Sequence, residues 1–337
     1  MSTARRVAFT VVSCLCFLLP ARVVRAADVC VAFTLIQRTS GDSIWHPAFY
    51  RNGSLVFHEG GNAVVRAAAV VGGSVYLAGS VRRAWGAEEA AAYWVDGRLV
   101  RLADDTARSV ATALTVAGSD VWCAGFMNDA AGTRRSAVLW KNGQPTLLAG
   151  RGSDSVATAI SVAGPDVYVA GFDLAPATGV AMAVYWKNGS RVDVTDGSAW
   201  SMATSIAVSG SDVYVTVLGV NAGVGKAWYY RNGTPVAVPG SFGTCTARSV
   251  VVQDQDVWVL GTDGTRGAYW RNGEEHFLKD SEGTRRYAGL AVIEGTPYSA
   301  GLTPDGHAVY WKAEDRQSLP LPGSPYDVVG PLAIAVQ

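Results

Sequence analysis

Seven side chains that break an otherwise repetitive pattern carry the chemistry this chain could do. Trp45, Trp85 and Trp200 fall outside the positions at which aromatic residues recur. An exposed indole is a platform for a sugar ring or a partner protein. The competing use is a loop anchor folded down over the structure beneath. Arg66, Arg108, Arg248 and Arg286 form the second set. Guanidinium forks suit carboxylate and sulfate, so four of them around one channel mouth would hold an anion. Against that stands rim salt bridging with neighbours such as Asp104, Asp105, Asp154 or Glu282.

Enzyme chemistry has less to stand on. His46, His58, His276 and His307 are scattered, and no HExxH, ligand-spaced Cys/His set or Gly-x-Ser-x-Gly occurs. No catalytic residue, metal site or cofactor is therefore assigned. Asp120, Asp166, Asp212 and Asp256 recur before Val-Tyr or Val-Trp and attract notice by recurrence alone. They fall in tight turns, where Asp is ordinary turn chemistry. Asn52, Asn188 and Asn232 match the glycosylation sequon, but the same residues are hairpin turns.

The elements that must position these residues are written as repeats. A variant of Ala-Val-Tyr-Trp-Lys-Asn-Gly closes at Tyr50, Trp94, Trp140, Trp186, Tyr230, Trp270 and Trp311, at spacings of 40 to 46 residues. A variant of Ser-Asp-Val-Tyr-Val-Ala-Gly precedes six of them. Short β-type runs at that period predict an all-β, seven-bladed β-propeller of four-stranded blades. Within residues 156–195 four runs rich in β-branched and aromatic residues make strands A to D, with Asn-Gly as the C to D hairpin. Only the last repeat loses that signal, at Ala313-Glu314. Strand A carries valine seven times, from Val70 to Val336, with a small residue three places earlier that is expected to face the channel or its wall. The two ends complement each other: residues 28–33 form a B strand and 332–336 an A strand, so pairing them would complete blade 7 and close the ring.

Formal charge is zero and 17% of residues are charged, which gives no bulk pull toward nucleic acid or anionic membrane. Arg5 and Arg6 precede an apolar run from Val7 to Leu19, and Val24-Arg25-Ala26 supplies a cleavage-site pattern. Residues 1–26 are expected to be a secretory signal and 27–337 a single propeller domain. The apolar run is short of the roughly 20 residues needed to span a bilayer, so no stable insertion is expected after cleavage. Val11-Val12-Ser13-Cys14 looks like a lipobox but lies inside the run. Cys30, Cys123 and Cys245 are odd in number, fall on non-adjacent blades and are expected as small apolar fillers.

The stretches Ala183–Gly189, Ala203–Ile206 and Gly210–Val215 resemble the repeats of secreted bacterial HAF-type proteins, in which Ala-x-x-Ile-Asn, Gly-x-Val-x-Gly and His-Ala-Phe-x-Trp-x-x-Gly alternate. Kelch repeats look similar around Gly72–Tyr76, but the doubled Gly after strand B is missing, and so is the WD dipeptide. The resemblance implies export and architecture, and brings no catalytic residue.

Propeller order puts the A to B and C to D hairpins on one face and the B to C and D to A connections on the other. Long B to C loops are expected around Leu35–His46, Ser80–Ala91, Phe126–Ser136 and Phe172–Met182, with Trp45 and Trp85 in two of them and Trp200 in a D to A connection. Any site should lie on that long-connection face. The expected function is an exported, non-enzymatic binding or scaffold propeller, monomeric, periplasmic, secreted or at the cell surface, with a glycan or protein partner. The alternative is a propeller-based polysaccharide hydrolase or lyase, which convergent carboxylates and His in one pocket would favour.

Overall fold

Each repeat folds because alternating residues of its strands can bury both faces of a sheet between two neighbouring sheets. The computed structural model describes residues 27–38, 43–84, 86–150, 153–219, 224–284, 286–320 and 326–337. Among them every regular element is a strand. Blade 1 runs Ala63–Val71, Ser74–Val81, Ala90–Val95 and Arg98–Arg101; blade 2 Ser109–Ala117, Asp120–Asn128, Arg135–Lys141 and Gln144–Leu147; blade 3 Val156–Ala163, Asp166–Leu174, Ala181–Lys187 and Ser190–Asp193. Blade 4 begins Met202–Ser209, Asp212–Leu218 and Val224–Arg231; blade 5 ends Asp256–Asp263, Arg266–Arg271 and Glu274–Phe277. One continuous strand, Thr234–Gln253, serves both, its first part as strand D of blade 4 and its last as strand A of blade 5. Blade 6 is Arg286–Ile293, Thr296–Leu302, Ala308–Lys312 and Asp315–Ser318.

Blade 7 joins the two ends. Tyr326–Val336 pairs antiparallel with Val29–Arg38, which continues into Ser43–Arg51 and Ser54–Phe57. Val29 to Ala32 oppose Val336 to Ala333 as expected, and pairing resumes from Thr34–Val329 to Gln37–Tyr326, farther than the sequence indicates.

The core lies between blades. Seven hydrophobic clusters each join two consecutive blades, and the seven strand-A valines fall one into each. Trp94, Trp140, Trp186, Trp270 and Trp311 are the largest fully buried side chains. Three of their indoles also donate to the preceding blade's outer edge: Trp94 Nε1 to Glu59 O at 2.8 Å, Trp270 to Pro239 O at 2.6 Å and Trp311 to Lys279 O at 2.8 Å. Losing one such side chain would cost about 3–5 kcal/mol.

Strand A slips by one residue at one place in each of blades 1 to 6, at Arg66, Thr112, Thr158, Thr204, Arg248 and Ala288. Such a bulge drives the preceding turn of strand A against strand B. In blades 1, 2, 3 and 5 strand B answers with Gly79, Gly125, Gly171 and Gly261, where a Cβ would fall on the carbonyl oxygens of Val64, Val110, Val156 and Thr246. Blades 4 and 7 carry Val217 and Phe33 there. The bulge threonines link neighbours: Thr112 Oγ1 donates to Ala157 O at 2.6 Å and Thr158 Oγ1 to Ala203 O at 2.7 Å.

Candidate functional site

The hairpin face repeats one clasp. The C to D asparagine accepts from the N–H after the A to B aspartate and donates to that aspartate's carboxylate: Asn142 takes Val121 N at 2.8 Å and gives to Asp120 at 2.7 Å, and Asn188, Asn232 and Asn272 do the same. The residue before each asparagine is a cation that pairs with the same aspartate and lies over the strand-B aromatic. Lys141 is 4.7 Å from the Trp122 ring and Lys187 is 5.2 Å from Tyr168; Arg231 and Arg271 repeat the arrangement. Lys141, Lys187 and Arg231 hold Asp120, Asp166 and Asp212 below the usual carboxylate range, as Asn272 with Arg271 does for Asp256. These recurrent aspartates are occupied in turn structure.

The long-connection face differs from blade to blade, and the structure corrects its expected outline. Strands B and C run farther than expected: B ends at Arg38, Val81, Asn128 and Leu174, and C begins at Ser43, Ala90, Arg135 and Ala181. Trp45 is therefore no loop residue. It lies within strand Ser43–Arg51 opposite Ile36, half-buried. The cause is the continued pairing of both strands past the expected loop start. Trp85 lies outside the described residues.

Trp200 is 54% exposed and closes the connection 194–201 into blade 4. That connection is stiff: Thr195 Oγ1 and Ser201 Oγ are 2.8 Å apart, and Ser201 Oγ accepts from Ala183 N at 2.9 Å. One edge of the indole rests on Gly219, where a Cβ would stand 2.6 Å from Cε3. A second exposed aromatic, Phe242, escaped the sequence reading. It is 67% exposed in the bend between the two halves of Thr234–Gln253, 5.5 Å from the Phe277 ring. Arg266 lies over both rings, at 6.0 and 4.8 Å, and pairs with Glu282 at 3.0 Å. Trp200 and Phe242 flank blade 4 on the same face.

The four arginines differ in what they touch. Arg108 is bound to Glu89 at 2.9 Å and lies 5.4 Å from the Phe126 ring. Glu89 is 5% exposed and also receives Arg82 at 3.4 Å and Ser80 Oγ at 3.3 Å. Arg66, half-buried, and Arg248, exposed, occupy bulge positions on blades 1 and 5. Arg286 opens strand A of blade 6, and its side chain lies outside the described residues. Two of the four stand on blades 1 and 2 and two on blades 5 and 6. Asp105, Asp154 and Glu282 pair with Arg83, Arg135 and Arg266 instead.

Beside Phe242 two acids, Asp263 and Glu275, converge. Asp263 is fully buried and accepts from Ser241 N and Phe242 N at 2.6 and 2.7 Å and from Cys245 Sγ at 3.3 Å. Glu275 lies next to it, accepts from Ser241 Oγ at 2.7 Å, and is raised above the usual carboxylate range, first by burial and also by Asp263. Burial pushes the Cys30, Cys123 and Cys245 thiols up to about 12, so all three are protonated and free at neutral pH. Among the described residues no group of His, Cys, Asp or Glu is arranged to hold a metal ion.

The closed ring of seven four-stranded antiparallel sheets makes the chain a seven-bladed β-propeller. No family model and no curated protein matches it. Among solved structures it is similar to a chain of a nidogen/laminin complex, at 10% identity and TM-score 0.46, covering 92% of this chain and 98% of that one. It is also similar to a prolyl endopeptidase chain, at 9% and 0.49, covering 89% and 50%, and to Trypanosoma rangeli sialidase with 2,3-difluorosialic acid, at 11% and 0.45, covering 78% and 55%. The chain thus spans about half the length of the endopeptidase and sialidase chains. Likeness at this level concerns the strand arrangement alone.

Proposed function

We propose that this protein is an exported, monomeric, non-enzymatic binding propeller of the HAF-repeat type that takes a glycan or protein partner on its long-connection face, centred on blade 4. The observation that carries the reading is the pair of exposed aromatics, Trp200 and Phe242, on either side of that blade. Large apolar rings held at a surface by stiff connections lose little entropy on binding and offer flat contact area. The Arg66 and Arg248 positions on the inner strands add charge that could select among partners.

The hydrolase or lyase reading has one observation in its favour, the Asp263 and Glu275 pair. Asp263, however, has no solvent-facing surface and spends its oxygens on two loop N–H groups and a thiol. A general acid or base must reach the substrate proton. Asp263 therefore serves the bend that presents Phe242. The test is binding of wild type, Trp200→Ala and Phe242→Ala to a glycan array and to isolated cell-wall material, with thermal melts alongside. Unchanged melting with a loss of about 1–3 kcal/mol in binding per ring is expected. Binding that survives both substitutions would move the site elsewhere.

A further inference from the structure

The flank between blades 6 and 7 repeats the flank between blades 3 and 4 position for position, with its carboxylates replaced. Both are clefts opening near the hairpin side, of about 480 and about 320 Å³. In the smaller, blade 3 supplies Tyr168, Tyr185 and Lys187 and blade 4 supplies the Asn232-Gly233 hairpin. In the larger, Tyr298, Tyr310, Lys312 and the Asn52-Gly53 hairpin stand at the same places. Tyr298 and Lys312 face each other across strands B and C, as Tyr168 and Lys187 do.

The difference is charge. Lys187 is held by Asp166 at 2.9 Å, and Asp193 lines the same cleft. Between blades 6 and 7 the two places belong to Thr296 and Ser318. Of the cations at this repeat position, Arg51, Lys141, Lys187, Arg231 and Arg271 each pair with an aspartate. Lys312, exposed at the cleft, makes no ion pair among the described residues. Asp315, opposite it in the hairpin, is taken by Lys279 from blade 5 at 2.7 Å, and Glu314 by His276 at 3.3 Å. Asp28, beside the cleft on blade 7, is taken by Arg51.

We propose that this cleft binds an acidic saccharide, with the carboxylate of a uronic-acid ring on Lys312 and the ring face against Tyr310. A lysine ammonium is a compact point charge that accepts a carboxylate from several directions. The half-buried Tyr310 presents an aromatic face suited to a sugar's C–H surface, and Gln317 and Ser318 on the cleft wall can meet ring hydroxyls. The volume lies within the roughly 300–1,000 Å³ of small-molecule sites, more than a bare anion needs. The site is separate from the long-connection face and does not depend on it.

Thr296→Asp tests this directly, because it restores the carboxylate that neutralises the cation in blades 2 to 5 and 7. Titration of wild-type protein with trigalacturonate and with uncharged galactotriose is expected to show at least tenfold preference for the acid. Thr296→Asp and Lys312→Gln should each weaken trigalacturonate at least tenfold, Thr296→Asp without lowering the melting temperature. Equal affinity for the two sugars, unchanged binding by Thr296→Asp, or acetate competing as well as the trisaccharide would overturn the proposal. Tighter binding of an acidic peptide than of trigalacturonate would overturn it in favour of a protein partner.

Discussion

Ala313 shows how a repeat position loses its residue once its partner is gone. In the other blades the hairpin residue, Asn or Asp96, accepts the N–H of a strand-B valine, as Asn142 does from Val121. Blade 6 has Pro297 there, which carries no N–H. An asparagine would have nothing to accept, and alanine stands in its place while the backbone keeps φ at 51°. A Cβ in that left-handed region costs about 1–2 kcal/mol. Ala313→Gly is expected to stabilise by up to about 1 kcal/mol after the entropy of glycine is counted, a rise of a few degrees in melting temperature. No rise would show that the turn bears no strain. His58 supplies a second residue-scale test. Its ring is buried 5.0 Å from Phe49, and burial pushes the imidazole down to about 4, with Asp96 opposing. The folded value lies below the ordinary 6.5, so the unfolded chain binds the proton first. Stability is complete above about 6.5 and falls by up to about 3 kcal/mol as pH drops toward 4. His58→Phe should flatten denaturation midpoints across that window. Parallel slopes in the two proteins would contradict it.

At the scale of the element, the bulge in strand A is the feature on which blade geometry turns. Gly171→Ala would drive a Cβ into the Val156 carbonyl oxygen, and both strands would have to part. A loss of about 2 kcal/mol or more is expected in urea unfolding, against almost none for Gly150→Ala, whose Cβ meets nothing. A small effect at Gly171 would mean that the strands yield easily. The same bulge marks where legibility in the sequence ends. Aromatic spacing, Asn-Gly hairpins and the recurrent valine were readable because each recurs, and they sufficed for strand order, blade count and core. A register shift leaves only a glycine in Val-Ala-Gly, which reads as the end of strand B. Strands B and C of blades 1 to 3 therefore read as shorter than they are; blade 7 has Phe33 at that position, and the continued pairing that holds Trp45 in a ladder leaves no mark in its sequence. Phe242 had a trace of the same kind as Trp200, an aromatic off the repeated positions, here between Gly240 and Gly243.

For the whole molecule, stability depends on closure. Each core cluster is shared by two blades, so an open ring exposes two faces at once. Removing residues 330–337 takes away the partners of Val29 to Ala32 and the Ala333, Ile334 and Ala335 contributions to the clusters on both sides of blade 7. Soluble yield should fall sharply and the remainder should elute as aggregates; monomeric protein with a wild-type melt would show that six blades hold on their own. The ligand surface was less legible than the ring at this scale, because exposure depends on what the neighbouring blade places alongside. Nothing within residues 194–201 says that Gly219 will support the Trp200 indole and leave its other edge to solvent. The paired ends have one more consequence. Asp28 N and Gln337 O are 2.9 Å apart and Gln337 N and Asp28 O are 3.2 Å apart, across a gap that in every other blade is filled by a two-residue turn such as Gly72-Gly73. Topologically the described chain is a circle cut at one of seven equivalent hairpins, and a short Gly-Gly bridge there with a new cut at Gly118-Ser119 would generate a circular permutant with the same seven sheets and a different closing blade.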